Sequence, residues 1–195
     1  MSSPKFRITQ SATALFKDSG SKFFAFAYPV QSQTDIKQLL QTLESSYPDA
    51  THICFAWSLG KTETRANDDG EPAHSAGSPI LRQIQSRQLT NTLVAVVRYY
   101  GGKKLGIPGL IRAYGEAASL ALDQATKAAF EIKLQVAVRF GYQVEGEVNK
   151  VIRQHHANVI LRTFNETGNL TIEVSEDEFA SMLATLQGMY GVEIL

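Results

Sequence analysis

Residues 98–114 limit the fold of this chain more than any other stretch. They run Arg98, Tyr99, Tyr100, Gly101, Gly102, Lys103, Lys104, Leu105, Gly106, Ile107, Pro108, Gly109, Leu110, Ile111, Arg112, Ala113 and Tyr114, with four glycines, four basic side chains and no carboxylate. A buried-type strand from Leu93 to Tyr99 enters the stretch. A helix leaves it, read from Leu110, Ala113, Tyr114, Ala117, Ala118 and Ala121, with Pro108 expected at its first position. Glycine tolerates positive φ and close backbone approach. The start of a helix offers unpaired N–H groups and the positive end of its dipole. The expected guest of this junction is an anion, and a phosphate above all. Backbone amides would hold it with Arg98, Lys103, Lys104 and Arg112, while Gly101, Gly102, Gly106 and Gly109 shape the loop. Tyr99 or Tyr100 would be free to stack on a base. The competing reading is a tight turn whose glycines serve geometry and whose lysines are only solvated. The coincidence of glycine with positive charge favours the ligand.

Composition narrows the class of protein. The 195 residues carry 19 Lys/Arg and 19 Asp/Glu, which argues against a generally basic, histone-like binder. The balance conceals an asymmetry. Residues 1–130 hold 14 basic and 10 acidic side chains, a net of +4, and residues 131–195 hold 5 and 9, a net of −4. A basic working surface is therefore expected on the first part. Cys54 is the single cysteine, so no internal disulfide is possible and a reducing compartment is expected. Met1 to Lys5 lead into no apolar run resembling a signal, and no stretch approaches the roughly 18 apolar residues of a membrane span. The expected location is the cytoplasm.

Along the chain, Phe23–Val30 and Thr51–Leu59 read as strands, separated by a helix through Ile36, Leu39, Leu40 and Leu43 that Thr34 and Asp35 are expected to cap. On the second strand Ile53, Phe55 and Trp57 are expected to face the core, with His52, Cys54 and Ala56 opposite. Residues 60–77 read as a long loop, and Ser78–Pro79 as the start of a helix through Ile80, Leu81 and Ile84. Beyond a boundary near Thr126 to Glu131 the rhythm changes to β-α-β-β-α-β, the split-βαβ (ferredoxin-like) order. Its hairpin turn is expected at Asn165 to Asn169, and a capping box at Ser175 to Glu178. At about 60 residues this unit would be marginal alone and is expected to pack on the first. No internal repeat or low-complexity tract stands out.

Four ordered motifs carry a resemblance: Asn67-Asp68-Asp69-Gly70-Glu71-Pro72, Ala76-Gly77-Ser78-Pro79-Ile80-Leu81, Arg98 to Gly106, and Arg112-Ala113-Tyr114. Shorter ones lie at Ser21-Lys22-Phe23, Phe26 to Val30 and Ala50-Thr51-His52. Together they resemble the YigZ/IMPACT family from end to end. The resemblance implies an α+β protein. Its first domain, residues 1–130, would have the left-handed βαβ fold of ribosomal-protein and elongation-factor domains, and residues 131–195 a ferredoxin-like βαββαβ fold. The pair is similar in type to the last two domains of elongation factor G. Eukaryotic relatives are linked to translational control, and for bacterial members the resemblance implies binding to nucleic acid or the ribosome. The chain departs from the family at His74–Ser75, where Gly-Thr is favoured, and at Pro108–Gly109, where Gly-Gly is favoured. Pro108 removes one N–H from the anion site.

The remaining clusters read more plainly. Asp68, Asp69 and Glu71 could hold a divalent cation. With Gly70 and Pro72 they suit better a turn pinned to nearby arginines, Arg98 being a candidate partner of Asp68 or Asp69. His74, Ser75 and an aspartate lie too close in sequence for a hydrolytic triad. Cys54 reads as a buried, inert thiol. His155 and His156 end a helix and, being adjacent, face different ways. The sequence thus favours a non-catalytic protein with no cofactor and no metal, binding RNA or the ribosome in the regulation of translation. A small-molecule phosphate or nucleotide-binding enzyme of kinase-like fold is one alternative, although the loop holds no serine. A protein-interaction module, partnered by a protein of the translation machinery, is another. The oligomeric state is not legible.

Overall fold

The computed structural model describes residues 6–164 and 166–195, and the chain divides into two compact units, Met1–Phe130 and Glu131–Leu195. The first unit contains β1 (Phe6–Ile8), β2 (Ala12–Asp18), β3 (Ser21–Pro29), α1 (Gln33–Ser46), β4 (His52–Leu59), β5 (Glu63–Asn67), α2 (Gly77–Ser86), β6 (Leu89–Thr90), β7 (Thr92–Tyr99), α3 (Gly106–Gln124) and β8 (Lys127–Ala129). Five strands form the main sheet in the order β2-β3-β7-β4-β5, every neighbouring pair antiparallel. Because β3 and β4 both run against β7, they are parallel to each other. They are joined by α1, which packs Ile36, Leu39 and Leu40 against Trp57 and Leu93. A smaller sheet, β6-β1-β8, closes the unit.

Strand β7 is buried from Thr92 to Arg98 because helices cover both of its faces. Leu93 looks toward α1, whereas Val94 and Val96 look toward α2 and α3. The larger core lies on the second side. There Ala113, Ala117, Ala118 and Ala121 of α3 are fully buried and let the helix approach a sheet face made of Ala25, Ala27, Cys54 and Ala56. The expectation for β4 is therefore reversed in emphasis. Cys54 and Ala56 are sealed, while Ile53 and Phe55 are only half-buried, since α1 roofs their side incompletely.

Other boundaries shift for physical reasons. The cap of α1 is Ser32, not Thr34. The Ser32 hydroxyl accepts from the Asp35 N–H and the Asp35 carboxylate accepts from the Ser32 N–H, both at 3.1 Å. Residues 60–77 are not one loop, because β5 lies inside them, pairing Phe55 with Asn67 through Leu59 with Glu63. Its polar residues hide its strand character, as suits an exposed edge.

The second unit contains β9 (Lys133–Phe140), a 3₁₀ turn (Tyr142–Val144), α4 (Glu145–Gln154), β10 (Asn158–Phe164), β11 (Gly168–Ser175), α5 (Glu176–Gln187) and β12 (Val192–Ile194). The sheet order β10-β11-β9-β12 places the first and third strands centrally, as in ferredoxin-like folds. Val138, Phe140, Val148, Ile172, Met182 and Leu186 are the heart of its core. Asn165, the first residue of the expected turn, lies outside the described residues. Ser175 does precede α5 but makes no capping hydrogen bond. The Glu176 N–H instead donates to the Ile132 carbonyl at 2.8 Å. No helix among the described residues is long and apolar enough to cross a membrane.

Candidate nucleic-acid interface

Six residues, 100–105, connect β7 to α3. The loop is anchored at its start. The Tyr100 N–H donates to Thr51 Oγ1 at 3.0 Å and the Gly101 N–H to Ser21 Oγ at 3.1 Å. A Cβ on Gly101 would sit 1.9 Å from the Gly20 carbonyl carbon and 2.2 Å from the Ser21 nitrogen. Gly101 therefore serves close packing against the β2–β3 turn, and its amide is already used. Gly102 and Gly106 take φ of +82° and +68°, which other residues adopt only at a cost. Past Gly101 the loop opens to solvent. Gly102, Lys103, Lys104, Gly106, Ile107 and Pro108 are exposed, and Leu105, at the cap of α3, makes no capping hydrogen bond. Helix α3 begins at Gly106, which puts Pro108 third rather than first. Its missing N–H still belongs to the first, unpaired turn. Gly109 lies within the helix, where a Cβ would come 3.0 Å from Leu105 Cβ.

Arg98 and Arg112 depart from the expected phosphate cradle. Arg98 is 5% exposed and forms an ion pair with Glu71, its guanidinium lying 5.5 Å from the Phe23 ring centroid and 5.6 Å from that of Tyr100. Its Nε is buried without a hydrogen-bond partner. A side chain so enclosed has no face for a ligand at the surface. Arg112 is exposed but holds Asp18 at 2.5 Å, and this hydrogen bond draws the Asp18 carboxyl below its usual range. Lys103 and Lys104 remain as exposed loop cations with no ion pair recorded among the described residues. Tyr99 is half-buried and Tyr100 is 46% exposed.

The Asp68-to-Pro72 turn is knitted inward. Glu71 accepts from Arg98 and, at 2.8 Å, from the Tyr114 hydroxyl. Cys54 Sγ lies 3.3 Å from that hydroxyl and 3.0 Å from the Asp68 carbonyl oxygen. Burial pushes both the Cys54 thiol and the Tyr114 phenol far upward, so both stay neutral. Neither Asp68 nor Asp69 pairs with Arg98, contrary to expectation, because backbone donors occupy them. Asp68 accepts from the N–H groups of His74, Ala76 and Gly77 at 2.9, 3.0 and 2.8 Å, and Asp69 from that of Ile53 at 2.6 Å. Asp68 thus supplies from a distance the cap that Ser78–Pro79 was expected to give α2. Partial burial raises the Asp68 carboxyl, but the three backbone donors outweigh it and the net direction is down. Gly70 takes φ +82° over the His52 ring. The Pro72 carbonyl accepts from the Ser75 hydroxyl at 2.6 Å, which leaves that buried hydroxyl committed. No group of three His, Cys, Asp or Glu among the described residues is arranged to hold a metal ion.

Sequence reasoning passed over Lys17 and Lys22, which stand directly opposite each other in the β2–β3 hairpin, and Phe24 and Tyr47 beside them. The signal was present in the period-two alternation of residues 12–28, whose second face carries Leu15, Lys17, Lys22, Phe24, Phe26 and Tyr28.

These features define a two-unit α+β protein that presents a basic, glycine-rich strand-to-helix loop at the surface of its first unit. The family model described as the Impact N-terminal domain matches residues 19–122. IMPACT family member YvyE of Bacillus subtilis is 30% identical over 160 residues, covering 81% of this chain and 73% of its own. The IMPACT family member in the pol 5′ region of Thermus thermophilus is 40% identical over 136 residues, covering 70% and 74%. A solved structure described as that of a hypothetical protein aligns over 100% of this chain and 98% of its own, with a TM-score of 0.70 and 24% identity, a likeness of fold. The chain belongs to the IMPACT family.

Proposed function

We propose that this protein binds RNA or an RNA surface of the ribosome in the cytoplasm, without a catalytic step of its own, and thereby acts in the regulation of translation. One observation carries the reading. Lys103 and Lys104 are exposed and without ion pairs among the described residues, beside a helix start with no side-chain cap, and glycines of positive φ stand before them at 102 and at the first helical position, 106. Phosphate groups suit such a site, since amide donors, helix dipole and ammonium charge act on the same oxygens. Family membership supports the context. The yeast relative named Protein IMPACT homolog is 35% identical over 96 residues, and the resemblance to eukaryotic members implies translational control.

The test is Lys103→Glu combined with Lys104→Glu, with RNA and ribosome binding measured across a salt series and folding checked by circular dichroism. The double variant is expected to stay folded and lose binding. Restoring charge neutrality with Gln at both positions is expected to reduce the magnitude of the log–log salt slope by about 1.4, two single-strand phosphate contacts. A folded double variant with unchanged affinity for both targets would remove the reading.

A further inference from the structure

On the face of the main sheet that α1 covers, the helix ends at Ser46 and leaves the Tyr99 end of the strands unroofed. A cleft of about 450 Å³ opens there, lined by Gly20, Lys22, Phe24, Tyr47, Tyr99 and Tyr100. That volume lies within the range of small-ligand sites, about 300–1,000 Å³. Phe24 is central to it. Tyr47 lies near-parallel to Phe24 with centroids 6.3 Å apart and planes at 28°, and Tyr99 meets it edge-on at 6.0 Å and 85°.

Resting on the RNA-binding reading above, we propose that this cleft receives an unpaired nucleobase of single-stranded RNA, whose backbone runs along Lys17 and Lys22 toward Lys103 and Lys104. Lys17 and Lys22 supply an observation independent of the glycine loop. They are exposed, face each other across the hairpin and have no ion pair among the described residues. Like charges directly opposed on a strand pair are destabilising, and a phosphate between them would relieve this. Asp18, next along the strand, alternates to the other face and is held by Arg112. The two basic elements are contiguous with the cleft, because Gly101 packs on Gly20 and both Gly20 and Tyr100 line it.

The chemistry selects among occupants. An apolar peptide would leave the opposed lysines uncompensated. A free phosphate would leave the aromatic rings unused. A duplex keeps its bases stacked on one another, and only an unpaired base can lie against tyrosine while its phosphates meet ammonium groups.

The experiment measures anisotropy of a labelled 12-nucleotide single strand and of the matching duplex with the full chain. The single strand is expected to bind at least tenfold more tightly. Tyr47→Ala and Tyr99→Leu are each expected to weaken it roughly 5- to 150-fold, the range for one stacked base, with the salt slope unchanged. Ultraviolet crosslinking should attach the base to Phe24, Tyr47, Tyr99 or Tyr100. Tyr100→Leu, at an exposed position, carries the test should Tyr99→Leu fail to fold. If strand and duplex bind equally, aromatic variants bind normally and only the Lys103/Lys104 variant fails, the base site falls and RNA binding stands. If the wild-type chain binds no RNA, both fall. A dimer that the aromatic variants dissolve, with no crosslink to RNA, also overturns the proposal.

Discussion

Glu71 accepts from two buried donors, Arg98 on β7 and Tyr114 on α3, so one carboxylate ties the Asp68-to-Pro72 turn to the strand and helix that flank the glycine loop. Removing one member of such a pair leaves its partner charged and uncompensated in a low-dielectric interior. Glu71→Ala is expected to destabilise the fold by about 3–5 kcal/mol, read as a lower urea midpoint with unchanged slope. Glu71→Gln, which keeps an acceptor for Tyr114, should cost less. Arg98 and Lys103 look alike in sequence, as basic members of one motif. What separates them is strand alternation at the end of β7. Arg98 falls on the face toward Phe23 and α3, whereas Lys103 lies beyond the last pairing residue, Tyr99. Alternation chooses the face, but the buried partner that lets Arg98 stay there is Glu71, 27 residues away, and no local pattern supplies it.

At the level of elements, α2 is the instructive helix, since its cap comes from outside it. Asp68 satisfies three amides around its start, and the carboxyl is held below the usual value of 3.8. A depressed folded-state pKa means that the folded state binds fewer protons than the unfolded. The stabilisation is complete above about pH 4 and is lost as pH falls through the depressed value. Urea unfolding between pH 7 and pH 3 should show this decline, and Asp68→Asn should flatten it while costing about 1 kcal/mol at pH 7. An unchanged acid profile in Asp68→Asn would argue against the cap. Strand β7 and helix α3 were legible because each is long and strongly patterned, hydrophobic throughout or alanine-striped. Strands β1, β5, β6 and β8 were not, being short or polar and taking their form from pairing with β4 or one another, while β2 carried a period-two alternation that the sequence reading passed over.

For the whole molecule, the charge asymmetry takes on a location. The first unit carries +4, and four of its exposed cations without an ion pair among the described residues, Lys17, Lys22, Lys103 and Lys104, lie together on the β2–β3 hairpin and the loop packed against it. The second unit carries −4. Binding is therefore expected to reside in the first unit. Lys150→Glu with Arg153→Glu, both exposed on α4, should leave RNA affinity within about threefold, whereas the same charge change at Lys103 and Lys104 abolishes it. Equal losses from the two double variants would show that the binding surface is not confined to the first unit.

The amino-acid sequence by itself determined the two-part plan, the β-α-β-β-α-β order of residues 131–195, the strand-to-helix junction and its charge. These follow from local periodicity, turn chemistry and composition, which act over a few residues at a time. Only the tertiary structure decided which basic side chains stay in water, which face of β4 forms the larger core, and that Asp68 caps a helix beginning nine residues later. Those outcomes depend on desolvation and on donors brought together from distant segments, energies that exist only once the chain has closed on itself.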